Sequence, residues 1–313
     1  MGFRKDAVRV RVPATSANLG PGFDCAGLAL DLHDELIAMV SEDPGVLIEV
    51  EGEGQEAIPR DASHLVARAM ALAFQQMGEV PAGFVLRCRN AIPHGRGLGS
   101  SAAAIVGGLV LARGLVSDGS QRFGDEDVLQ WASMMESHPD NISAALHGGV
   151  TFAWRAADGR AACVRLDPHP DLVPILLIPA DQVPTSHART ALPASVDFAD
   201  AAFNVARASL LVHALTTDPA LLLEATQDRL HQQARRTCYP ASMAAVQALR
   251  AAGLPAAISG AGPSVIVLGA AGDLARVQAC LADQPDDYWV VRQCPVQPLG
   301  ARVEPVDGAV ASG

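Results

Sequence analysis

The amino-acid sequence predicts an α+β fold made of two domains. Strand patterns and helix patterns are mixed along the chain, without the regular strand–helix–strand alternation that builds a parallel sheet. The 313 residues suffice for two fused domains, and half of them are apolar whereas only 18% are charged, so both domains can bury a core. A turn-like stretch at 156–159 favours a boundary there. We therefore predict an N-terminal domain at 1–155 and a C-terminal domain at 156–313.

The first predicted strand starts at Val8, where apolar residues alternate with polar ones, and stops before Pro13. A loop rich in glycine and proline is expected at Ala14–Phe23. The acid-rich start of Asp125–Ser137 suits the N-terminus of a helix. The other elements predicted in this half are strands at Glu35–Val40, Val46–Val50, Phe84–Arg89 and Gly149–Trp154, and helices at Leu65–Gln76 and Ser101–Leu115.

The C-terminal half mixes strands and helices in another order. Two short apolar strands flank a glycine turn, and one helix ends at Gly253, as glycine after the last helical residue indicates. The predicted strands are Val173–Ile178, Ala256–Ile258, Val265–Leu268 and Tyr288–Cys294, and the predicted helices are Phe198–Thr216, Pro219–Leu230, Met243–Ala252 and Asp273–Leu281.

Charge and composition exclude several classes of partner. The net charge is −11, and no run of Lys and Arg offsets it locally, which argues against nucleic acid and anionic membranes. The longest apolar stretch, Ala102–Leu111, is too short to span a bilayer, and no apolar run follows the basic start as in a signal peptide. Six scattered cysteines without a C-x-x-C pair predict reduced thiols. We expect a cytoplasmic protein with no nucleic-acid or membrane partner.

The most informative segment is Pro93–Ala104. Three glycines precede two hydroxyl residues, Ser100 and Ser101, and an apolar helix follows at once. A helix N-terminus offers unpaired N–H groups and the positive end of the helix dipole, which together bind anions. A glycine-rich turn capped by Ser100 explains the same residues, so the glycines alone do not decide between the two.

Two known phosphate motifs fit this segment poorly. A P-loop needs a lysine directly before the hydroxyl residue, and Ser100 stands there. The pattern Gly97-x-Gly99-x-x-Ala102 satisfies the dinucleotide fingerprint. That fingerprint follows a strand directly, however, whereas 91–94 intervenes here, and the polar stretch 117–122 cannot supply the next strand. We therefore rank a dinucleotide-binding loop below the phosphate loop of a kinase as the interpretation of this segment.

The segment resembles the phosphate loop of the GHMP kinases, in which a proline is followed shortly by Gly-Leu-Gly-Ser-Ser-Ala. The resemblance implies that the loop and the helix N-terminus hold the phosphates of ATP, and that Ser101 lies beside a magnesium ion. The residues implied to bind ATP are Pro93, His94, Gly95, Arg96, Gly97, Leu98, Gly99, Ser100, Ser101, Ala102 and Ala103.

Two glycine-containing segments carry the resemblance further. Ala14–Asp24 is similar to the substrate-side motif of the homoserine kinases within that superfamily, although such a sequence is also common in surface turns. Asn18 and Asp24 can accept hydrogen bonds from an ammonium or hydroxyl group. Ser259–Ser264 matches the C-terminal glycine motif of the superfamily and would otherwise be a tight connection between strands. The resemblance implies that Gly260 closes over the substrate and the γ-phosphate.

The segment 136–141 is similar to the Glu-Gly-His-Pro-Asp-Asn motif of the same family, with Ser137 in place of glycine. Without the resemblance, the prolyl and aspartyl residues would simply start a helix, with a surface histidine before it. The resemblance implies that Glu136 and Ser101 hold the metal, because magnesium takes one or two carboxylates plus phosphate oxygens. It also implies that Asp140 and Asn141 face the substrate hydroxyl and that His138 contacts the substrate.

Two stretches, 185–189 and 231–235, resemble positions whose arginines hold the substrate carboxylate in homoserine kinases. A single arginine in an acidic protein is usually a solvated surface residue, but two converging guanidinium groups suit bidentate carboxylate recognition. The residues implied to bind substrate here are Thr185, Arg189 and Arg235.

The resemblance extends from about Val8 to Leu268 and implies a GHMP kinase fold, with ATP and substrate in the cleft between two α+β domains. The implied reaction is ATP-dependent phosphorylation of the L-homoserine hydroxyl to O-phospho-L-homoserine, a step of threonine biosynthesis, and the implied cofactors are ATP and Mg²⁺. Glu136, Asp140, Asn141 and Ser101 are the catalytic candidates, with the proton acceptor left open.

Two alternatives stay open at this point. One is a GHMP kinase acting on mevalonate, shikimate or threonine. The other is a regulator that binds ligand without turnover, against which the retained metal carboxylate and loop serines argue. The oligomeric state is also open, and a homodimer is one of the states that the sequence allows.

Overall fold

Two β-sheets form the framework of the protein in the computed structural model, which describes residues 2–183, 185–282, 288–304 and 306, without the side chains of 185 and 186. The strands are β1 Val8–Asn18, β2 Gly22–Ser41, β3 Gly45–Gly52, β4 Gly83–Asn90, β5 Val150–Arg155, β6 Ala161–Leu166, β7 Ile175–Pro179, β8 Ala256–Ile258, β9 Val265–Val267, β10 Trp289–Gln293 and β11 Arg302–Glu304. The helices are α1 Leu65–Met77, α2 Ser100–Leu115, α3 Gly119–Arg122, α4 Asp125–Met135, α5 Pro139–His147, α6 Thr185–Thr190, α7 Phe198–Thr216, α8 Leu222–Ala225, α9 Pro240–Ala251 and α10 Leu274–Ala279, with 3₁₀ turns at Pro219–Leu221 and Ala271–Asp273.

The first sheet has seven strands and carries the phosphate loop. Its main order is β11-β1-β2-β4-β3, with β5 pairing to β2 and β6 to β5. All neighbours are antiparallel except β3 and β4, which α1 connects as a crossover. Helices α2 and α5 pack on β1 and β2. Because α2 is buried on nearly every side, its N-terminus is held firmly against the sheet edge that lines the cleft.

The second sheet is smaller and antiparallel, in the order β10-β7-β9-β8. Its strands are short, β7, β8 and β9 are fully buried whereas the edge strand β10 is partly exposed, and α9 and α10 cover the sheet. A separate apolar cluster that includes Leu177, Leu249 and Val265 forms its core. Two largely antiparallel sheets with helices packed on them and no strict strand–helix alternation confirm the predicted α+β class.

The predicted loop at Ala14–Phe23 is wrong for most of its length. β1 continues through Pro13 to Asn18, and β2 already begins at Gly22. Proline is tolerated within the pair because the strand register shifts between Pro13 and Ala14. The polar side chains of this segment lie inside the protein rather than in solvent, with Thr15 and Ser16 fully buried.

The predicted helix at Pro219–Leu230 is also wrong in its second half. A 3₁₀ turn leads into α8, which ends at Ala225. The Asp228 carboxylate then accepts the backbone N–H groups of Leu230, His231 and Gln232, which closes a tight turn in place of further helix.

Two strands that the sequence pattern did not indicate complete the first sheet. β6 and β11 both lie after residue 155, yet β6 pairs with β5 and β11 with β1. The division of the chain at 155/156 stays a prediction, and these pairings show that the first sheet contains strands from both sides of that position.

Within the described ranges, no helix is long and apolar enough to cross a membrane.

Candidate active site

One cavity brings together segments that are as much as 240 positions apart in the chain. It lies where the β1–β2 turn, the phosphate loop, the α4–α5 connection, α6 and the turn at 259–264 meet. Fifteen of the residues singled out in the sequence line it: Asn18, Asp24, Gly95, Gly97, Leu98, Gly99, Ser100, Ser101, Glu136, His138, Asp140, Asn141, Arg189, Arg235 and Gly260. The remaining ones lie close by: His94 and Ala103 line a neighbouring cavity, and Pro93, Arg96 and Ala102 flank the loop.

Thr185 is the one predicted site residue whose side chain cannot be placed relative to the cavity. It begins α6, but its side chain lies outside the part of the chain that is described.

The phosphate loop ends in a helix N-terminus that no side chain caps. The N-cap residue of α2 is Gly99, and neither an acidic residue nor a capping side chain occupies the first turn. Gly99 has φ +70°, and a Cβ there would overlap the Thr15 hydroxyl, so the loop requires glycine at this position. The first N–H groups of α2 have no intrahelical acceptor. They therefore face the cavity as an anion site.

The second glycine turn closes against this loop. The Ser259 hydroxyl donates to the carbonyl oxygen of Gly97 at 2.7 Å, and the N–H of Gly260 donates to the carbonyl oxygen of Ala17 at 3.0 Å. The Asn18 amide in turn donates to the carbonyl oxygen of Gly260 at 2.8 Å. β1 and the two glycine segments thus hold one another at fixed positions around the cavity.

Glu136 and Ser101 face each other at the ends of α4 and α2. Burial raises the pKa of the Glu136 carboxyl, and the neighbouring Ser101 hydroxyl opposes that rise. The Oε2 atom of Glu136 is buried and has no hydrogen-bond partner. Nowhere in the described ranges do three or more His, Cys, Asp or Glu side chains form a cluster that could hold a metal. An orphaned carboxylate oxygen beside a hydroxyl and an anion site fits a hard cation that takes its other ligands from phosphate and water.

Asp140 and Asn141 lie at the N-terminus of α5 and line the same cavity as the anion site. Burial raises the pKa of Asp140 to about 7, and the hydrogen bond from the N–H of Asn141 and the negative charge of Asp24 act in opposite directions on it. The Asn141 Oδ1 atom accepts the Thr15 hydroxyl at 2.8 Å. The Asn141 amide nitrogen donates to the Oδ1 atom of Asp140 at 3.3 Å, and the residue lines the cavity.

Arg189 of α6 and Asp24 of β2 form a two-armed ion pair across the cavity. The two Nη atoms of Arg189 donate to the two oxygens of Asp24 at 2.8 and 3.2 Å. Asp24 has the left-handed φ of +55°, and its N–H donates to the Asn18 side chain at 3.0 Å. His138 approaches the same carboxylate, with Nε2 at 4.0 Å from Oδ2, and burial lowers the pKa of its ring.

Arg235 is the largest fully buried side chain of the protein's described part, with 1% of its surface exposed. Its Nε donates to the carbonyl oxygen of Ala188 at 3.0 Å, and Nη1 lies 3.4 Å from Nδ1 of His231. The guanidinium groups of Arg235 and Arg189 both lie over the ring of Phe23, at 5.4 and 5.6 Å from its centroid. The two arginines named from the sequence therefore converge.

The residues that support this arrangement were not predicted as site residues. His231 is buried against Phe23 and donates from Nε2 to the carbonyl oxygen of Gly20 at 2.8 Å, while its Nδ1 faces Arg235. Burial lowers the pKa of this imidazole, and its Nδ1 can accept a hydrogen bond from the Arg235 guanidinium. His231 belongs to the segment 231–235 and Phe23 to Ala14–Asp24, two segments that resemble family motifs, but only the tertiary contacts show the role of these two residues.

A second cavity, largely apolar, adjoins the first at Ser100 and Ser101. It is lined by Asp34, Leu36, Ile58, Pro59, Ser63, His64, Leu65, Val66, Asn90, His94, Ala103 and Ala104. The Asp34 carboxylate accepts the N–H groups of Ala91 and Ile92 at 2.7 and 2.9 Å, and burial raises its pKa to about 6. Apart from the loop residues, none of these was predicted as a site residue, since no motif marks them.

Comparison with known proteins decides the family. The model of the GHMP kinases N terminal domain matches residues 64–149, and that of the GHMP kinases C terminal region matches 211–287. The homoserine kinase of Streptomyces avermitilis is 48% identical over 304 residues, which cover 97% of this chain and 98% of that protein. This chain belongs to the homoserine kinase family.

Other relatives agree with that membership. The homoserine kinase of Streptomyces coelicolor is 47% identical over 304 residues, covering 97% of this chain and 96% of that one. The crystal structure of homoserine kinase from Cytophaga hutchinsonii has a TM-score of 0.82 at 28% identity, over 96% of this chain and 98% of that one. As a member of the homoserine kinase family, the chain is an ATP-dependent kinase that phosphorylates a hydroxyl group, and the predicted GHMP kinase fold is confirmed.

Proposed function

We propose that the chain transfers the γ-phosphoryl group of ATP to the side-chain hydroxyl of L-homoserine and releases O-phospho-L-homoserine, ADP and a proton. One observation carries the choice of an amino acid as acceptor. Two guanidinium groups and one carboxylate, those of Arg189, Arg235 and Asp24, converge at one end of a cavity whose other end is an uncapped helix N-terminus. A carboxylate and an ammonium group on one small molecule match these charges.

The phosphate end of the site is built for charge neutralisation, which phosphoryl transfer needs more than covalent chemistry. The free N–H groups at the start of α2 would hold the phosphates, with the turn at 259–264 closing over them. Glu136 and Ser101 would hold Mg²⁺, and the orphaned Oε2 atom of Glu136 supports this assignment. Magnesium, when bound, neutralises charge on the phosphate oxygens.

The acceptor hydroxyl would lie between the arginines and the phosphates, beside Asn141 and Asp140. The Asn141 amide, fixed by Thr15, would donate to the hydroxyl oxygen and orient it toward the phosphorus atom. A carboxylate with a pKa of about 7 can take up the proton that the hydroxyl loses, so we assign this step to Asp140.

The apolar cavity next to Ser100 and Ser101 would take the nucleoside of ATP. It is mostly lined by apolar side chains, it opens beside the anion site, and polar groups such as Asn90, Ser63 and His64 stand at its wall. The planar base of ATP would thus be desolvated in this cavity, while the phosphates of the same nucleotide would lie along the loop.

The product fits a step of threonine biosynthesis, as in the homoserine kinase family. We further propose that the reaction takes place in the cytoplasm. All six cysteines are free thiols, and no pair of them forms a disulfide, which suits a reducing compartment.

A coupled ADP-release assay tests the proposal. The panel contains L-homoserine, L-threonine, mevalonate and shikimate, each with saturating Mg²⁺ and ATP. We expect kcat/KM for L-homoserine to exceed each of the others by at least about a hundredfold, since mevalonate and shikimate lack the ammonium group and threonine carries its hydroxyl on Cβ instead of Cγ. Preference for mevalonate or shikimate, which carry no ammonium group, would overturn the proposal, and so would ADP release that no acceptor increases.

A further inference from the structure

Arg96 belongs to the phosphate loop by its backbone, whereas its side chain leaves the loop. The guanidinium donates from Nε to the carbonyl oxygen of Pro179 and from Nη2 to that of Ala180, both at 2.9 Å. Nη1 also donates to the carbonyl oxygen of His94 at 3.4 Å. Arg96 lines neither the cavity of the anion site nor the apolar cavity beside it. Its guanidinium is thus directed to the end of β7 and not into the site.

The two carbonyl groups that Arg96 binds start the connection between β7 and α6. Pro179 is the last residue of β7, and Ala180 follows it. Carbonyl groups that are shielded from water need a donor. The planar guanidinium offers several N–H groups in a fixed fork, so one side chain can serve two adjacent carbonyl groups, which the single ammonium group of a lysine does not do in the same geometry.

Backbone hydrogen bonds join the same segments on either side of Arg96. The N–H of Val183 donates to the carbonyl oxygen of Gly95 at 2.9 Å, and the N–H of Ser264 donates to that of Arg96 at 3.3 Å. Gly95 and Gly97 have φ of +65° and +71°, and glycine itself gives a chain little stiffness. The position of the loop relative to the second sheet therefore depends on these contacts.

The connection after β7 leads into α6, which carries Arg189. Arg189 lines the active-site cavity together with the glycines of the phosphate loop. Near the end of α6, the carbonyl oxygen of Ala188 accepts a hydrogen bond from Nε of Arg235. The position of α6 relative to the anion site is therefore set before its start by Arg96 and near its end by Arg235.

We propose that Arg96 is a positioning residue, which keeps α6 at a fixed distance from the bound phosphates, and that its charge does not hold the nucleotide. The inference rests on the proposed function, in which Arg189 binds the acceptor. It adds a residue outside the cavity that sets the distance between the acceptor hydroxyl and the γ-phosphate. Transfer is sensitive to this distance, because a misplacement of about 1 Å can lower the rate by about a hundredfold.

Two variants separate positioning from phosphate binding. Arg96→Met keeps the length of the side chain without its charge and donors, and Arg96→Lys keeps the charge without the fork. We expect kcat/KM for L-homoserine to fall at least about tenfold in both. The Kd for ADP with Mg²⁺, measured by calorimetry, should stay within about threefold of wild type in both. Arg292→Met, an exposed arginine on β10 of the same sheet, is the control and should change neither.

A phosphate-binding Arg96 predicts a different pattern. The Kd for ADP would then rise at least about tenfold in Arg96→Met, and Arg96→Lys would restore it, because a lysine also binds phosphate as a point charge. That pattern would overturn the proposal, and so would wild-type kcat/KM for L-homoserine in both variants.

Hydrogen exchange of the ligand-free proteins tests the same contact without turnover. The N–H of Val183 should exchange at least about tenfold faster in both variants, because its acceptor Gly95 is no longer held. The N–H of Leu177, inside the buried strand β7, should keep its protection and shows that the variants are folded. Unchanged exchange at Val183 would overturn the proposal. A wild-type protein without homoserine turnover would refute the proposed function, whereas the exchange result still decides on the contact of Arg96.

Discussion

Three ionisable side chains of the cleft are largely buried, and burying the charge of each one is unfavourable without a partner of opposite charge. Glu136 and Asp140 are acids whose pKa values burial raises, and Arg235 is a cation whose pKa burial lowers. Such charges cost free energy in the ligand-free protein. Their concentration around one anion site is typical of a functional site.

Replacing Glu136 by Gln keeps its shape but removes the charge that would hold the metal. We expect kcat to fall by at least about a hundredfold at limiting Mg²⁺, with folding intact, since transition-state charge would lose its counterion. Steady-state kinetics over a magnesium titration measure this. Glu126→Gln, an exposed acid on the same helix, is the control. Kinetics of Glu136→Gln within tenfold of wild type would refute the metal assignment.

Arg235→Lys keeps the positive charge but loses the planar fork that grips a carboxylate. We expect KM for homoserine to rise at least about tenfold while KM for ATP changes little. The analogue 3-aminopropan-1-ol, which lacks the carboxylate, should be a poor substrate of the wild type and should lose little more in the variant. The exposed neighbour Arg236→Lys is the control. Equal losses for homoserine and the analogue would show that Arg235 does not bind the carboxylate.

Site residues could be predicted where they belong to a sequence motif. They could not be predicted where only tertiary contacts bring them to the site. Asn18, Arg189 and Arg235 were named from motifs, and the structure brings them to one cavity. The supports of the site follow no pattern in the sequence. Thr15 meets Asn141 across 126 positions, and Phe23 meets His231 through strand and turn geometry that motif spacing does not encode.

At the scale of single elements, the phosphate loop depends on backbone conformations that only glycine adopts easily. Gly95, Gly97 and Gly99 all have φ between 65 and 71°. A Cβ on Gly97 would overlap the carbonyl oxygen of Ser259, so the two glycine turns can approach each other only without side chains there. The loop and the turn at 259–264 are therefore one structural unit.

Gly99→Ala tests this unit. The left-handed conformation alone costs about 1 kcal/mol for alanine, and the added methyl group would displace the Thr15 hydroxyl from Asn141. We expect a lower melting temperature and a rise in KM for ATP. Gly272→Ala, where a methyl group would meet open space, should change neither. A Gly99→Ala protein with wild-type stability and ATP affinity would contradict the described loop geometry.

Asp34 anchors the beginning of the same loop from β2, and its pKa makes a prediction about pH. Burial raises this pKa from 3.8 to about 6. Between these two pH values the folded protein therefore keeps a proton that the unfolded chain has already released. The contribution of Asp34 to stability is therefore largest below pH 4, falls as the pH rises to about 6 and is constant above that.

Asp34→Asn removes this dependence, because the amide oxygen can still accept the N–H groups of Ala91 and Ile92. Relative to wild type, the variant should gain on the order of 2 kcal/mol of unfolding free energy between pH 4 and pH 8. Urea denaturation at both pH values measures the difference, and the exposed Asp43→Asn gives the baseline. A difference between Asp34→Asn and wild type that does not change with pH would contradict the raised pKa.

Elements were predictable where local periodicity agreed with the final packing. Helices α1, α2 and α9 and strands β4 and β7 lie close to the predicted ranges. The predictions failed at Ala14–Phe23 and at Pro219–Leu230, where glycine, proline and polar side chains suggested a solvated loop in one case and apolar spacing suggested a helix in the other. At Ala14–Phe23 burial of the polar side chains overrides the local signal, and at Pro219–Leu230 the Asp228 side chain accepts nearby backbone N–H groups in place of further helix.

At the scale of the whole molecule, the site exists because two sheets meet around it. The first sheet contributes the anion site and the metal carboxylate, and the segments around the second contribute both arginines and the closing glycine turn. The α+β class was predictable from the mixture of elements. The strand order was not, since β11 returns to β1 over almost 300 positions, a pairing that no local pattern indicates.

The most direct test of the account identifies the product. The protein is incubated with Mg²⁺, ATP and L-homoserine, and the reaction is followed by proton-coupled ³¹P spectroscopy. We predict that the γ-phosphate signal is replaced by a phosphomonoester triplet, because the phosphorus then couples to the two protons of the CH₂–O group. The Glu136→Gln variant should show almost none of it. Appearance of inorganic phosphate alone, or of a phosphoester only with an acceptor that lacks an amino-acid group, would contradict the account.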